Sequence, residues 1–191
     1  MVPVLILVAG LVLFLGVHLV PALPSLRAAL AARWGEQRYR GLFSLVSLVG
    51  LALVIGGYVM APPGPRLFPP SPGAIAIAPY AVSLSLILFA AANMRGHARR
   101  VVKHPLLLSV AIWAAVHLMA NGDTRGTVLF ASFLAYAAFD FFSVVQRQAI
   151  RTFQPALRND AIAVVAGIAA SLALMALHRP LFGVAVVRWG F

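Results

Sequence analysis

The chain has 191 residues, of which 62% are hydrophobic and only 10% charged, with 15 Lys and Arg against four acids and a formal net charge of +11. Soluble domains carry about a quarter charged residues, so a water-soluble globule is excluded and one compact all-α membrane bundle is expected at this length. The absence of cysteine excludes disulfides, thiolate zinc sites, iron–sulfur clusters and covalent c-type haem attachment, but leaves noncovalent haem on histidine open.

A spanning helix needs about 20 mostly apolar residues. Residues 3–23 meet this first. No basic segment precedes that run and no small-residue cleavage site follows it, so it reads as a membrane helix and not as a signal peptide. A basic link, Ser25 to Arg40, leads to a second helix over 41–61, which the run Pro62-Pro63-Gly64-Pro65 terminates. A third helix is expected over 74–94. After the basic link Arg95 to Lys103, a fourth is expected over 105–120, with Pro105 in its first turn, where a missing N–H costs nothing. The residues Asn121 to Gly126 form a turn by composition. Helices over 127–145 and 161–178 complete a bundle of about six, with a third basic link, Gln146 to Asp160, between them and Trp189 of the tail placed at the membrane interface.

The basic residues alternate between the ends of these helices. The links after the first, third and fifth helices hold four, four and three Lys or Arg, against Arg66, Arg125, Arg179 and Arg188 on the other side. The positive-inside rule therefore puts both termini away from the cytoplasm, and the charge reads as topology and not as a nucleic-acid surface. Small residues mark two packing faces: Ser44, Ser47, Gly50, Val54 and Gly57 on the second helix, and Gly167 with Ser171 on the sixth.

Polar groups inside spans are costly and carry the information. His18 lies near the inner end of the first helix, where its helical neighbours satisfy at most one imidazole nitrogen. His117 lies deep in the fourth helix between Trp113 and Asn121, and Asn121 stands at the spacing to orient its ring. His104 sits at the cytoplasmic mouth of the same helix. His104 and His117 are thirteen residues apart, so they point about 140° away from each other at depths about 20 Å apart, and one iron cannot take both. Pairs across helices remain, His18 with His104 or His18 with His117. His97 and His178 read as interfacial. Asp140, near the cytoplasmic end of the fifth helix, reads as one partner of a structural ion pair with the nearby basic residues, Arg147 among them. Arg40 and Lys103 are placed to hold haem propionates if a haem sits near that face.

Four short motifs in order resemble the NnrU family of membrane proteins: Gly16-Val17-His18-Leu19-Val20-Pro21, the stretch from Tyr39-Arg40-Gly41 to Ser47, Lys103-His104-Pro105-Leu106, and His117-Leu118-Met119-Ala120-Asn121-Gly122-Asp123. The resemblance runs from about Pro3 to Gln148; the last helix is less diagnostic. It implies a bacterial inner-membrane protein associated with denitrification, through the expression or function of nitrite and nitric oxide reductases. Plant 15-cis-zeta-carotene isomerases share the domain and carry a b-type haem on two histidines. By motif those ligands correspond here to His18 and His117, with His104 the reserve. The plant enzymes' N-terminal extension is lacking, so carotenoid activity does not transfer with the domain. Three further functions are weighed beside haem-linked denitrification: isomerisation of a lipophilic polyene, a non-catalytic assembly factor, and a membrane methyltransferase, which the apolar C-terminal region disfavours.

Overall fold

The computed structural model describes residues 2–146 and 153–186, and every element among them is helical. Arg147 of the third basic link, together with Arg188 and Trp189 of the tail, lies outside the described residues. Six helices form the bundle: α1 (Val2–Leu19, continued by a short 3₁₀ turn, Val20–Ala22), α3 (Glu36–Met60), α4 (Pro72–Ala92), α6 (Pro105–Asn121), α7 (Thr124–Gln146) and α8 (Leu157–Phe182). Five of them are long and apolar enough to cross a membrane, and in none is more than 22% of the most apolar stretch buried. Side chains such as Val12, Leu48 and Val165, each about two-thirds exposed, therefore require lipid around them. The sixth, α6, has 17 residues and a rise of about 26 Å, at the short end of what a bilayer requires.

Two shorter helices lie within the basic links between the expected spans. Pro24 opens α2 (Pro24–Trp34), and Gly35, with φ +82°, ends it. A side chain is strained at that φ, so glycine suits the sharp turn between α2 and α3. Helix α3 thus begins five residues before its apolar stretch. Its first acid, Glu36, accepts from Arg27 of α2 at 2.7 Å and from Arg40 at 2.9 Å, which ties α2 back onto α3. Helix α5 (His97–Val102) is held by Asp160 at the start of α8: its carboxylate accepts from the backbone N–H of His97 and Ala98 and pairs with the His97 ring at 2.9 Å. The last helix accordingly runs to both sides of the expected 161–178.

The helices pack in the order α3, α1, α7, α6, α4, α8. The close approaches use the predicted small residues. A Cβ on Gly50 would stand 2.7 Å from the backbone nitrogen of Phe14, and Gly10 and Gly57 are equally closed by facing backbone, so α1 and α3 touch main chain to main chain. Ser44, expected on the same face, is exposed instead. Gly167 of α8 lies against the backbone of Ile87 in α4, and Ser171 bonds Ser83 at 2.6 Å. Leu7, Leu11, Val54, Leu129 and Phe130 form the buried core between α1, α3 and α7.

At the end of the bundle opposite the basic links, the proline segment after α3 is pinned to the α6–α7 turn. Leu67 N–H donates to the Gly122 carbonyl at 2.8 Å, and Thr124 N–H to that of Pro65 at 3.0 Å. Asp123 caps α7 through Gly126 N–H at 2.8 Å. The polar turn around Asp123 is thus taken up by the fold's own hydrogen bonds.

Candidate functional site

An imidazole in a span has two nitrogens to satisfy, and helical backbone reaches only one of them. His18, in the last turn of α1, places Nδ1 2.6 Å from the Phe14 carbonyl. His117, in α6, places Nδ1 2.8 Å from the Trp113 carbonyl. Each bond runs back four residues. A carbonyl only accepts, so the Nδ1–H tautomer is selected at both positions and the Nε2 lone pair is left facing outward. Among the described residues no hydrogen bond reaches either Nε2. The two histidines therefore share one local geometry on different helices.

Helix α7 supplies the wall that both face. The His18 ring packs on Phe14 at 4.4 Å between centroids, on Phe43 of α3 at 5.1 Å, and edge-on to Tyr136 at 6.3 Å. The His117 ring stacks on Phe130 at 4.9 Å and lies against Trp113 at 5.5 Å. Tyr136 and Phe130 are six positions apart, about 9 Å along the helix axis. At the level between them, Phe133 touches Phe14 at 5.9 Å and Trp113 at 5.4 Å. A continuous run of aromatic contacts thus joins the two imidazoles. Its α7 members, Phe130, Phe133 and Tyr136, fall at spacings of three, so they share a face.

The remaining predicted residues separate into those that approach this wall and those that do not. Asn121 does not orient the His117 ring: its amide donates to the His117 backbone carbonyl at 2.8 Å, and the Trp113 carbonyl sets the ring instead. His104 precedes the first turn of α6 and meets Phe141 of α7 edge-on at 6.5 Å; Phe141 lies eleven residues, about three turns, beyond Phe130, away from both His18 and His117 along the helix. Arg40 lies at the His18 end, one turn before Phe43, but its side chain is 74% exposed and bonded to Glu36. Lys103, with φ +63°, ends α5 and is exposed. Asp140 accepts from the Tyr136 hydroxyl at 3.4 Å, which ties it to the His18 neighbourhood. His97 pairs with Asp160, and His178 bonds the Val184 carbonyl at 2.7 Å, both near helix ends as the sequence implies. Among the described residues no three His, Asp or Glu gather to hold a bare metal ion. Sequence reasoning missed Phe43, Phe130, Phe133 and Tyr136. For Phe130, Phe133 and Tyr136 the only signal was the spacing of three along α7, whereas Phe43 lies on α3 within the motif from Tyr39 to Ser47.

Fold and site together define a polytopic helical membrane protein whose interior carries two histidines of fixed tautomer. The model of the family described as NnrU protein matches residues 6–186, and the chain belongs to the NnrU family. The match includes α8, which the sequence motifs left as less diagnostic. No curated protein and no solved structure matches the chain.

Proposed function

We propose that this chain is a haem-binding protein of the bacterial inner membrane, serving denitrification, with His18 and His117 as the imidazole ligands of a b-type haem. One observation supports it above the rest. Two intramembrane histidines are each anchored through Nδ1 to a carbonyl, and each is left with an unbonded Nε2. Metal-ligating histidines are held this way, because the second bond fixes the ring and raises the basicity of the ligating nitrogen. An unpaired imidazole nitrogen in a membrane is otherwise costly.

The donor chemistry fits: His18 and His117 would hold the haem iron through Nε2, the nitrogen that each leaves unbonded. Between the two rings Phe133 packs on Phe14 and Trp113, so the same aromatic wall borders both histidines that would hold the group. When bound, the haem supplies a redox-active iron suited to electron transfer, or to binding nitric oxide if one histidine releases it. The chain's own part is to hold each Nδ1 proton on its carbonyl and to keep water out with Phe14, Phe130 and Trp113. Arg40, which would exchange its bond to Glu36, and the exposed Lys103 are cations at the basic end that would hold propionates. The polyene-isomerase alternative needs a lipid-accessible channel to a histidine. Cavities of about 310 and 150 Å³ lie at the opposite end of the bundle from His18, and neither His18 nor His117 lines them.

The test is an absorption spectrum of the detergent-purified protein, oxidised and then reduced, for wild type, His18→Ala and His117→Ala. The expected result is a six-coordinate low-spin b-type spectrum that both variants lose or convert to five-coordinate. A folded wild-type protein that takes up no haem when supplied with it overturns the proposal.

A further inference from the structure

At the basic end of the bundle, α2 is a helix that interior packing does not account for. None of its 11 residues is buried. Leu26, Leu30 and Trp34 stand four apart and so share one face, which Arg27 and Arg33 border. The opposite face carries only Ser25, Ala28, Ala29 and Ala32. Leu30 is half-buried, but Leu26 is 41% and Trp34 39% exposed. The large apolar side chains of α2 are therefore gathered on one face, and the bundle covers only part of it.

The charges around this face are uneven. Arg27 is committed to Glu36, and its guanidinium lies 5.6 Å over the Tyr39 ring. Arg40 takes the same carboxylate. Arg33, and Arg38 just past the Gly35 corner, are exposed, and neither has a hydrogen bond, an ion pair or a ring contact among the described residues. No acid remains for them: Asp160 holds α5, Asp140 bonds Tyr136, and Asp123 caps α7 at the other end of the bundle. The depth suits a membrane surface. Helix α2 starts where the α1 span ends, and Gly35 stands six residues before the apolar stretch of α3 that begins at Gly41, about 9 Å along the helix axis. That is the depth of the headgroup layer. A leucine and tryptophan face bordered by free arginines matches such a layer, because the apolar groups enter the hydrocarbon edge while the guanidinium groups stay among phosphates. A protein partner would have to approach through that layer, so lipid is the occupant the position favours.

We propose that α2 is an interfacial helix whose Leu26 and Trp34 enter the leaflet at the basic end of the bundle, and that Arg33 and Arg38 gather anionic phospholipids around it. Basic segments beside spanning helices attract acidic lipids in this way, each cation near the surface adding to the attraction.

The test places the full-length protein in lipid nanodiscs and measures quenching of the Trp34 fluorescence, taken as the difference between wild type and Trp34→Phe. Brominated phosphatidylglycerol and brominated phosphatidylcholine are the membrane quenchers, and acrylamide is the aqueous one. Trp34 is expected to be quenched by brominated lipid and shielded from acrylamide. Phosphatidylglycerol is expected to reach half-maximal quenching at a lower share of the lipid than phosphatidylcholine, by about fivefold for each arginine. The double variant Arg33→Gln, Arg38→Gln is expected to remove that difference while its unfolding temperature stays near wild type, since both side chains are exposed and unbonded. Quenching of wild-type Trp34 by acrylamide and not by brominated lipid overturns the proposal, and would leave this face to water or to a soluble partner. Equal quenching by the two lipids overturns it too. So does a preference that the double variant retains, which would assign lipid selection to other cations.

Discussion

Two helix pairs in this bundle read alike in the sequence and are built differently. Both α1–α3 and α4–α8 are marked by small residues at helical spacing. In the first pair, Gly10, Gly50 and Gly57 face opposing backbone along the whole contact. In the second, one glycine, Gly167, meets the backbone of Ile87, and a serine pair, Ser83 with Ser171, holds the next turn at 2.6 Å. Lipid tails are as apolar as leucine, so burying apolar surface drives neither contact. What remains is close main-chain packing in one pair, and packing plus a hydrogen bond in the other. The difference matters for function because α1 carries His18 and rests on α3, which supplies Phe43 to the same histidine.

The largest effect is expected from Gly57→Val. Its Cβ would fall on the backbone of Ile6 and Leu7, and backbone cannot rotate away as a side chain does. Overpacking in a tight core costs about 1–3 kcal/mol and sometimes more; about 3 kcal/mol or greater is expected here. Thermal unfolding in detergent should show a protein that fails to fold or melts far below wild type. Near-wild-type stability would mean that α1 and α3 are not in main-chain contact. Gly167→Val comes next. It meets both backbone and a side-chain carbon of Ile87, but α8 lies at the edge of the helix row and has room to shift outward, so about 1–3 kcal/mol is expected. If Gly167→Val proves the more damaging, the α4–α8 pair is the tighter one and the comparison is reversed.

How much of this was legible beforehand follows from the same physics. A bilayer fixes helix length, so hydropathy alone finds six helices at nearly their true positions. The helices α2 and α5 were hidden because their basic residues, Arg27 and Arg33 in one and Arg99 and Arg100 in the other, resemble link composition. The stop and start signals were nonetheless present at Pro24 and Gly35. The two histidines were legible because imidazole in a span demands an explanation. The aromatic wall was not, since Phe130 and Phe133 have the same composition as lipid-facing residues and only contact with a second helix distinguishes them. Asn121 differs from the expectation for a related reason: its amide turns back onto the His117 carbonyl of its own helix and not onto the ring.

A smaller effect is expected at the contact between α4 and α6. Ser85 is buried and donates to the Ser109 carbonyl at 2.9 Å, with the Ser109 hydroxyl 3.2 Å away. Ser85→Ala removes a donor inside the bundle and leaves the Ser109 hydroxyl without that neighbour. About 1 kcal/mol is expected, read as a lower midpoint in the same unfolding measurement. A neutral result would place α4–α6 with α1–α3, as a contact held by packing alone.

The smallest effect is expected from Ser171→Ala, although its hydrogen bond is the shortest of the serine contacts. The Ser83 hydroxyl lies 2.7 Å from the Pro79 carbonyl of its own helix, so losing Ser171 leaves it with a partner. Interhelical hydrogen bonds in membranes average about 0.6 kcal/mol in double-mutant cycles, because the separated helices also find partners. Ser83→Ala, Ser171→Ala and the double variant should therefore give a coupling of about 0.6 kcal/mol. A coupling near 2 kcal/mol would show that the serine pair, and not Gly167, is what holds α8 to the bundle. Gly167 would then be only the clearance that lets the two hydroxyls meet.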